Sequence, residues 1–248
     1  MPVMDEFREE RESIKNSSFK KKLQYFLDYY KWYVIIGVIV IMVVTSIITE
    51  IANNKEAAFF GFFLNTYCEK EEETAFVNDF ATKAQLDTEE YDVLIDSSLR
   101  ISVGTVEEYT MATMNRILVS LTAGDLDFIG AEPATFEHYV FSNTFCDLST
   151  LLTPQQMETY KDYIYYADLA EIRNKLNWDS MEEYVIKEYD PRDPDSMAEP
   201  VPVGLYILDA PKIASVYKLP EGELIMGIPA NAPHKETILK FIDYIYEK

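Results

Sequence analysis

Fifteen consecutive residues from Val34 to Ile48 carry no charge, and this run constrains the chain more than any other feature. Adding Trp32, Tyr33 and Thr49 gives 18 residues, the short end of what a bilayer core requires. Tyr29, Tyr30, Trp32 and Tyr33 stand at its N-terminal edge, where amphipathic rings favour the membrane interface. Lys20, Lys21, Lys22 and Lys31 precede the run, and Glu50, Lys55, Glu56 and then Glu69 to Glu73 follow it. Positive residues mark the cytoplasmic side. The expected topology is therefore a single-pass membrane protein with residues 32–51 in the lipid bilayer, the N-terminus cytoplasmic and the C-terminal part extracellular.

Two other readings of the run are weaker on the residues themselves. A cleaved signal peptide would carry a shorter lead-in and an A-x-A site, and no Cys occurs before Cys68 to take a lipid anchor. A buried core helix would show a polar face, and this run, dominated by β-branched residues, shows none. Upstream, Phe19, Leu23, Phe26, Leu27 and Tyr30 share one helical face, with Ser17 or Ser18 as the cap. Residues 17–33 are expected to form a juxtamembrane amphipathic helix, lying on the inner leaflet or docking a partner helix. Residues 1–16, charged in both signs, are expected to be a disordered tail.

Charge is partitioned across the run. Residues 1–33 hold seven Lys/Arg against six Asp/Glu; residues 34–248 hold fifteen against thirty-seven. So acidic an outer part disfavours nucleic acid and anionic head groups as partners. Hydrophobic residues make up 48% of the chain and aromatics 14%, so the outer part can bury a core. Glycine is scarce, at 8 residues, and neither GxGxxG nor GxxxxGK[ST] occurs.

Beyond a polar linker, strands alternate with amphipathic helices. Strands are expected at Ala57–Leu64, Tyr91–Ile95 and Asp125–Ala131, with helices at Glu72–Leu86, Val106–Leu121 and Pro133–Val140. Further on, Thr153-Pro154-Gln155-Gln156 reads as a helix start, and Tyr163–Ala167, Pro202–Leu208 and Glu223–Ile228 as strands. Residues 174–187 are ambiguous, 190–200 read as a loop, and the last helix begins near Pro233. The expected fold is α/β: one transmembrane helix, then residues 57–248 as a single extracellular domain with a mostly parallel sheet covered by helices.

Three segments carry a resemblance in this order. Ala123-Gly-Asp-Leu-Asp-Phe-Ile-Gly-Ala-Glu-Pro-Ala-Thr-Phe-Glu-His-Tyr139 resembles the third strand and following helix of extracellular solute-binding proteins of the type II periplasmic-binding fold. Phe145-Cys-Asp-Leu-Ser-Thr-Leu-Leu152 resembles that family's next turn, and Leu224 to Ile245 its closing strand and helix. The likeness covers 57–145 and 200–248. The region where a second lobe would stand, 155–200, is small and acidic, and a transmembrane segment replaces a lipid anchor. The lead-in Leu23-Gln-Tyr-Phe-Leu-Asp-Tyr-Tyr-Lys-Trp32 also resembles that of single-pass proteins of Gram-positive bacteria. The resemblance implies one periplasmic-binding-like lobe that binds a small polar ligand or docks on a membrane protein partner without catalysis. A structural accessory subunit of a membrane complex is the alternative, and an extracellular hydrolase a more distant one.

Ligands of open α/β sheets sit beyond the C-terminal strand ends. Those ends offer Asn65, Thr66 and Tyr67, then Asp96, Ser97 and Ser98, then Glu132 and Phe136. Asn65, Tyr67, Ser97, Ser98, Glu132 and Phe136 are the candidate ligand-binding residues, and turn and cap chemistry is their competing explanation. Cys68 and Cys146 both fall outside the membrane, where a disulfide or two small buried thiols are alternatives. No motif calls for a cofactor. His138 and His234 have no partner at metal spacing, and no G-x-S-x-G elbow is present. Asp190, Asp193, Asp195 and Glu199 read as a solvated acidic loop, not an EF-hand.

Overall fold

The computed structural model describes residues 18–53, 55–102, 104, 107–180, 184–219 and 222–247; of 21–31 and 50–53 it describes the backbone. The tail expected at 1–16, and the side chains of most of the amphipathic face before the apolar run, lie outside these. The chain divides into two compact units, Met1–Lys55 and Glu56–Lys248.

In the first unit, α1 runs unbroken from Phe19–Asn53. Its segment Trp32–Thr49 has no buried residue and is long and apolar enough to cross a membrane. At 1.5 Å per residue those 18 residues extend about 27 Å, close to a hydrocarbon core. The two threonines in the segment satisfy themselves. The Thr45 hydroxyl donates to the Ile41 carbonyl (2.8 Å), and that of Thr49 to the Thr45 carbonyl (2.7 Å). A polar side chain bonded to its own helix needs no water, which is what lipid demands.

The second unit is built on one six-stranded sheet. Its strands are β1 (Ala57–Phe63), β2 (Asp92–Asp96), β3 (Phe128–Ala131), β4 (Ile164–Asp168), β5 (Pro200–Tyr206) and β6 (Ile225–Gly227), in the order β2-β1-β3-β6-β5-β4. The pairings of β1 with β2 and β3 are parallel, as the strand–helix alternation implies. The pairings β3–β6, β6–β5 and β5–β4 are antiparallel, so the sheet is mixed. A buried strand reads the same in either direction, and the hydrophobic pattern therefore carried no signal for this half.

Helices cover both faces. They are α2 (Lys70–Lys83), α3 (Glu108–Ala123), α4 (Pro133–Val140), α5 (Pro154–Tyr160), α6 (Leu169–Leu176), α7 (Pro211–Ala214) and α8 (Lys235–Ile245). The α4 helix opens with Pro at its first position, where a missing N–H costs nothing. Thr153 and Gln156 form a reciprocal capping box on α5. β1 alternates in its burial partners. Phe59 and Phe63 join Phe76 and Phe80 of α2, Phe128 of β3 and Phe241 of α8 on one face. Phe62 joins Ile117 of α3, Phe136 and Tyr139 of α4, and Tyr165 of β4 on the other.

The first core is largely aromatic. Phe128 stacks on Phe241 (centroids 5.2 Å, 17° between planes), and Phe59 and Phe80 lie 4.9 and 5.0 Å from the same ring. Glycine makes room for it. Gly61 and Phe128 are register partners across β1 and β3, as are Phe63 and Gly130. A Cβ on Gly61 would sit 1.9 Å from Phe128 Cε1, and one on Gly130 2.3 Å from Phe63 Cδ1. Each ring thus lies over the glycine of the opposite strand.

This reciprocity predicts that Gly61→Ala destabilises the domain by about 1–3 kcal/mol through overpacking. Combined with Phe128→Leu it should cost less than the sum of the two single changes. Denaturant unfolding of the detergent-solubilised chain measures both; additive losses would contradict the packing described.

Candidate functional site

The residues after β1 and β3 bring two of the six candidate residues, Asn65 and Glu132, together. Asn65 follows β1 with φ 57°, a left-handed conformation that asparagine tolerates. Its amide Nδ2 donates to Glu132 Oε1 (2.9 Å) and to the Ile101 carbonyl (2.8 Å), and its Oδ1 accepts the Ile101 N–H (2.8 Å). One side chain therefore ties the end of β1 to the loop after β2 and to the residue before α4. Glu132 Oε1 also accepts the Thr135 hydroxyl. Its other oxygen, Oε2, is buried and has no hydrogen-bond partner.

The remaining candidates separate. Ser97 and Phe136 are buried. Phe136 belongs to the second core, stacked on Phe145 at 4.6 Å, and does not line a rim. Ser98 is exposed, and its N–H (2.8 Å) and hydroxyl (2.6 Å) both donate to Asp96 Oδ1, which is turn chemistry. Burial works to raise the Asp96 pKa, but these two bonds and Arg116 (2.7 Å) outweigh it and hold it below the usual range. Tyr67 is exposed, with the Arg100 guanidinium 4.9 Å from its ring centroid. Arg100 and Arg116 are rim residues that the sequence reading did not name. Their basic charge against so acidic a background is the signal that was available.

Cys68 and Cys146 are both partly buried, unbonded thiols. Burial, together with Glu73 and Glu72, pushes the Cys68 thiol up to about 11, and burial also raises that of Cys146. Neither has thiolate character. Among the described residues, no group of three or more His, Cys, Asp or Glu could hold a metal ion. The acidic loop is organised by its own turns, with Asp190 accepting the Arg192 N–H and Asp193 the Asp195 N–H. Asp168 closes its base, taking the N–H groups of Ala198 (2.8 Å), Glu199 (3.1 Å) and Ala170 (3.0 Å).

A carboxylate does lie against a histidine, where sequence spacing offered no partner. Asp127, fully buried, accepts from the Phe60 N–H (2.8 Å) and the His234 N–H (3.0 Å), and it contacts His234 Nδ1 at 3.0 and 3.2 Å. Burial raises its pKa against these bonds. Among the described residues no hydroxyl or thiol bonds to His234 Nε2. His138 lies in α4 as expected, where burial and then Lys175 lower its pKa.

No protein-family model, curated protein or solved structure matches the chain.

Burial works to raise the Asp168 pKa, but the backbone N–H groups it accepts outweigh it and leave the pKa below the usual value. A depressed folded pKa gives stability that is present above the unfolded value and lost as pH falls through the folded one. Asp168→Asn should therefore flatten the loss of stability below about pH 4. Melting temperatures across an acid series report it; an unchanged slope would show that Asp168 does not titrate as described.

Proposed function

We propose that this chain is a membrane-tethered, non-catalytic docking domain, held by residues 32–51 with the acidic domain outside, that associates with a membrane protein complex through the outer face of α3. The observation that carries the reading is that α3, besides the inward side that buries Ile117 and packs Met114 and Leu121 on the core, also has exposed apolar residues. Met111, Leu118 and Val119 are 51%, 60% and 67% exposed, and Tyr109 56%, while Thr110 and Thr113 are buried. The charges on this helix are Glu108 and Arg116, and Arg116 is paired with Asp96. In a chain that is 26% charged, such a face is unusual for solvent contact.

The partner this face fits has an apolar centre and a basic rim. Glu107 and Glu108 flank the face at one end and Asp125 at the other, and the domain around it is strongly acidic. Complementary charge sets register and encounter rate, with the apolar centre supplying the affinity. The strand-end groups support a small-ligand reading less well. Glu132 Oε1 accepts from both Asn65 and Thr135, and its Oε2 is buried without a partner among the described residues. The resemblance to solute-binding proteins supplies the scaffold in this reading, and the function rests on the surface.

The topology has a direct test. With Cys68 and Cys146 replaced by Ser, a Ser98→Cys change should react with a membrane-impermeant maleimide in intact cells. Labelling only after permeabilisation would place the domain inside. Docking is read by purifying the full chain from its native membrane. A stoichiometric companion should be lost with Leu118→Asp or Val119→Asp and retained with Glu132→Gln. A companion indifferent to both α3 changes, or a monomer in every case, would remove the docking reading.

A further inference from the structure

The two edges of the sheet are finished differently. β4 is covered by the acidic loop: its Tyr166 N–H donates to the Pro191 carbonyl (2.8 Å), and the Leu169 N–H just beyond it to the Glu199 carbonyl (2.9 Å). β2, at the other edge, is open. The Asp92 N–H donates to the Glu56 carbonyl (2.9 Å), just before β1, and this bond fixes the alternation along the strand. Asp92, Leu94 and Asp96 turn their backbone groups to β1, and Val93 and Ile95 turn theirs off the sheet. Among the described residues no backbone or side-chain group bonds the N–H or C=O of Val93 or Ile95. The side chains alternate as well. Val93 and Ile95 pack on the first core, whereas Asp96 reaches Arg116 of α3 at 2.7 Å, so Asp92, Leu94 and Asp96 lie on the α3 face. There Leu94 is 46% exposed between two partly buried aspartates.

Edge strands are commonly blunted by Lys, Pro or a bulge on the strand itself. Asp92-Val-Leu-Ile-Asp96 carries no Lys or Pro, and the irregularity in this ladder lies on β1, between Ala57 and Phe59. The two aspartates act by sign, and so they select among partners. A second copy paired antiparallel about Leu94 would set each Asp92 against the partner's Asp96, and a register two residues away would set an aspartate against Leu94. The net charge of −21 adds to that repulsion. A strand with an apolar residue flanked two positions to either side by basic ones meets all three side chains in one register. We propose that β2 is a docking edge for such an extended segment of a partner protein, which adds as a seventh strand through the backbone of Val93 and Ile95. The segment sets its apolar side chain beside Leu94 and its basic ones beside Asp92 and Asp96. Asp96, already held by Arg116 and Ser98, contributes less than Asp92. This edge operates whether or not α3 docks.

The probe is the peptide Ser-Lys-Thr-Val-Thr-Lys-Ser, blocked at both ends and titrated into the full chain in a neutral detergent. Its symmetric pattern fits either strand direction. Hydrogen exchange followed by NMR reads the edge amide by amide. In the free chain the Val93 and Ile95 amides should exchange about tenfold faster than those of Leu94 and Asp96, and saturating peptide should slow them about tenfold. The same peptide N-methylated at its three central residues should not bind, nor should one with Glu in place of Lys. Val93→Pro removes an outward N–H that the sheet itself does not use, so it should keep the fold and abolish the protection of Ile95. Asp92→Asn should weaken binding about two- to fivefold, the worth of one cross-strand charge pair. Should Val93→Pro unfold the domain, the methylated peptide decides on the wild-type chain. Slow exchange of Val93 and Ile95 before peptide is added, no binding at millimolar peptide, or equal binding by the methylated or the Glu peptide would overturn the assignment.

Discussion

Asp127 is the constraint on which the middle of the sheet depends. It stands one residue before β3, fully buried, and gathers donors from β1 and from the start of α8. Its own N–H returns a bond to the Phe60 carbonyl at 2.7 Å. A carboxylate taken out of water is costly unless every acceptor site finds a donor. Each hydrogen bond to a charged group is worth about 1.5–3 kcal/mol, and stripping donors from a buried charge costs more. The geometry that satisfies Asp127 also sets the β1–β3 register, which places Gly61 beneath Phe128. It seats α8 as well, which delivers Phe241 to the same ring. The polar anchor and the aromatic stack are thus two consequences of one register.

Asp127 and Asp168 are both buried and both bonded to backbone N–H groups, yet they shift in opposite directions. Asp127 has two backbone donors and an imidazole against deep desolvation, and its pKa goes up. Asp168 has more backbone donors, and its pKa goes down. A raised carboxyl contributes stability below its unfolded pKa and loses it as pH rises through the folded value, the reverse of Asp168. The two terms oppose each other across the carboxylate range. The central anchor is therefore least costly in acid, where the base of the acidic loop is weakest.

Local signals were legible wherever they were short-range. Pro133 at a helix start, the Thr153–Gln156 box, the helix expected at Glu72–Leu86 and the first three strands all depend on neighbours within a few positions. Strand direction in the β4–β6 half was not legible, because burial on both faces erases the pattern. Neither were the pairs that organise the site. Asn65 and Glu132 are 67 positions apart, and Asp127 and His234 are 107 apart. Along α3, Thr113 and Ile117 are buried, but Tyr109, four residues before Thr113, is exposed. A stripe taken strictly every four residues drifts around a helix of 3.6 residues per turn.

That drift bears on function. The helix buries Ile117 between two threonines and packs Met114 and Leu121 on the core, yet leaves Met111, Leu118 and Val119 exposed, and the proposed docking uses that second apolar side. The strand-end rim points the same way. A ligand clasped between two lobes needs two walls, and Glu56–Lys248 is one compact unit on one sheet. Its rim groups have turned inward, Asn65 to Glu132 and Ser98 to Asp96. Bonds of this kind hold a rim rigid whether or not anything binds there. Asn65 and Ser98 are engaged in shaping the domain, and in the docking reading proposed above the exposed apolar residues of α3 are where a partner would add most.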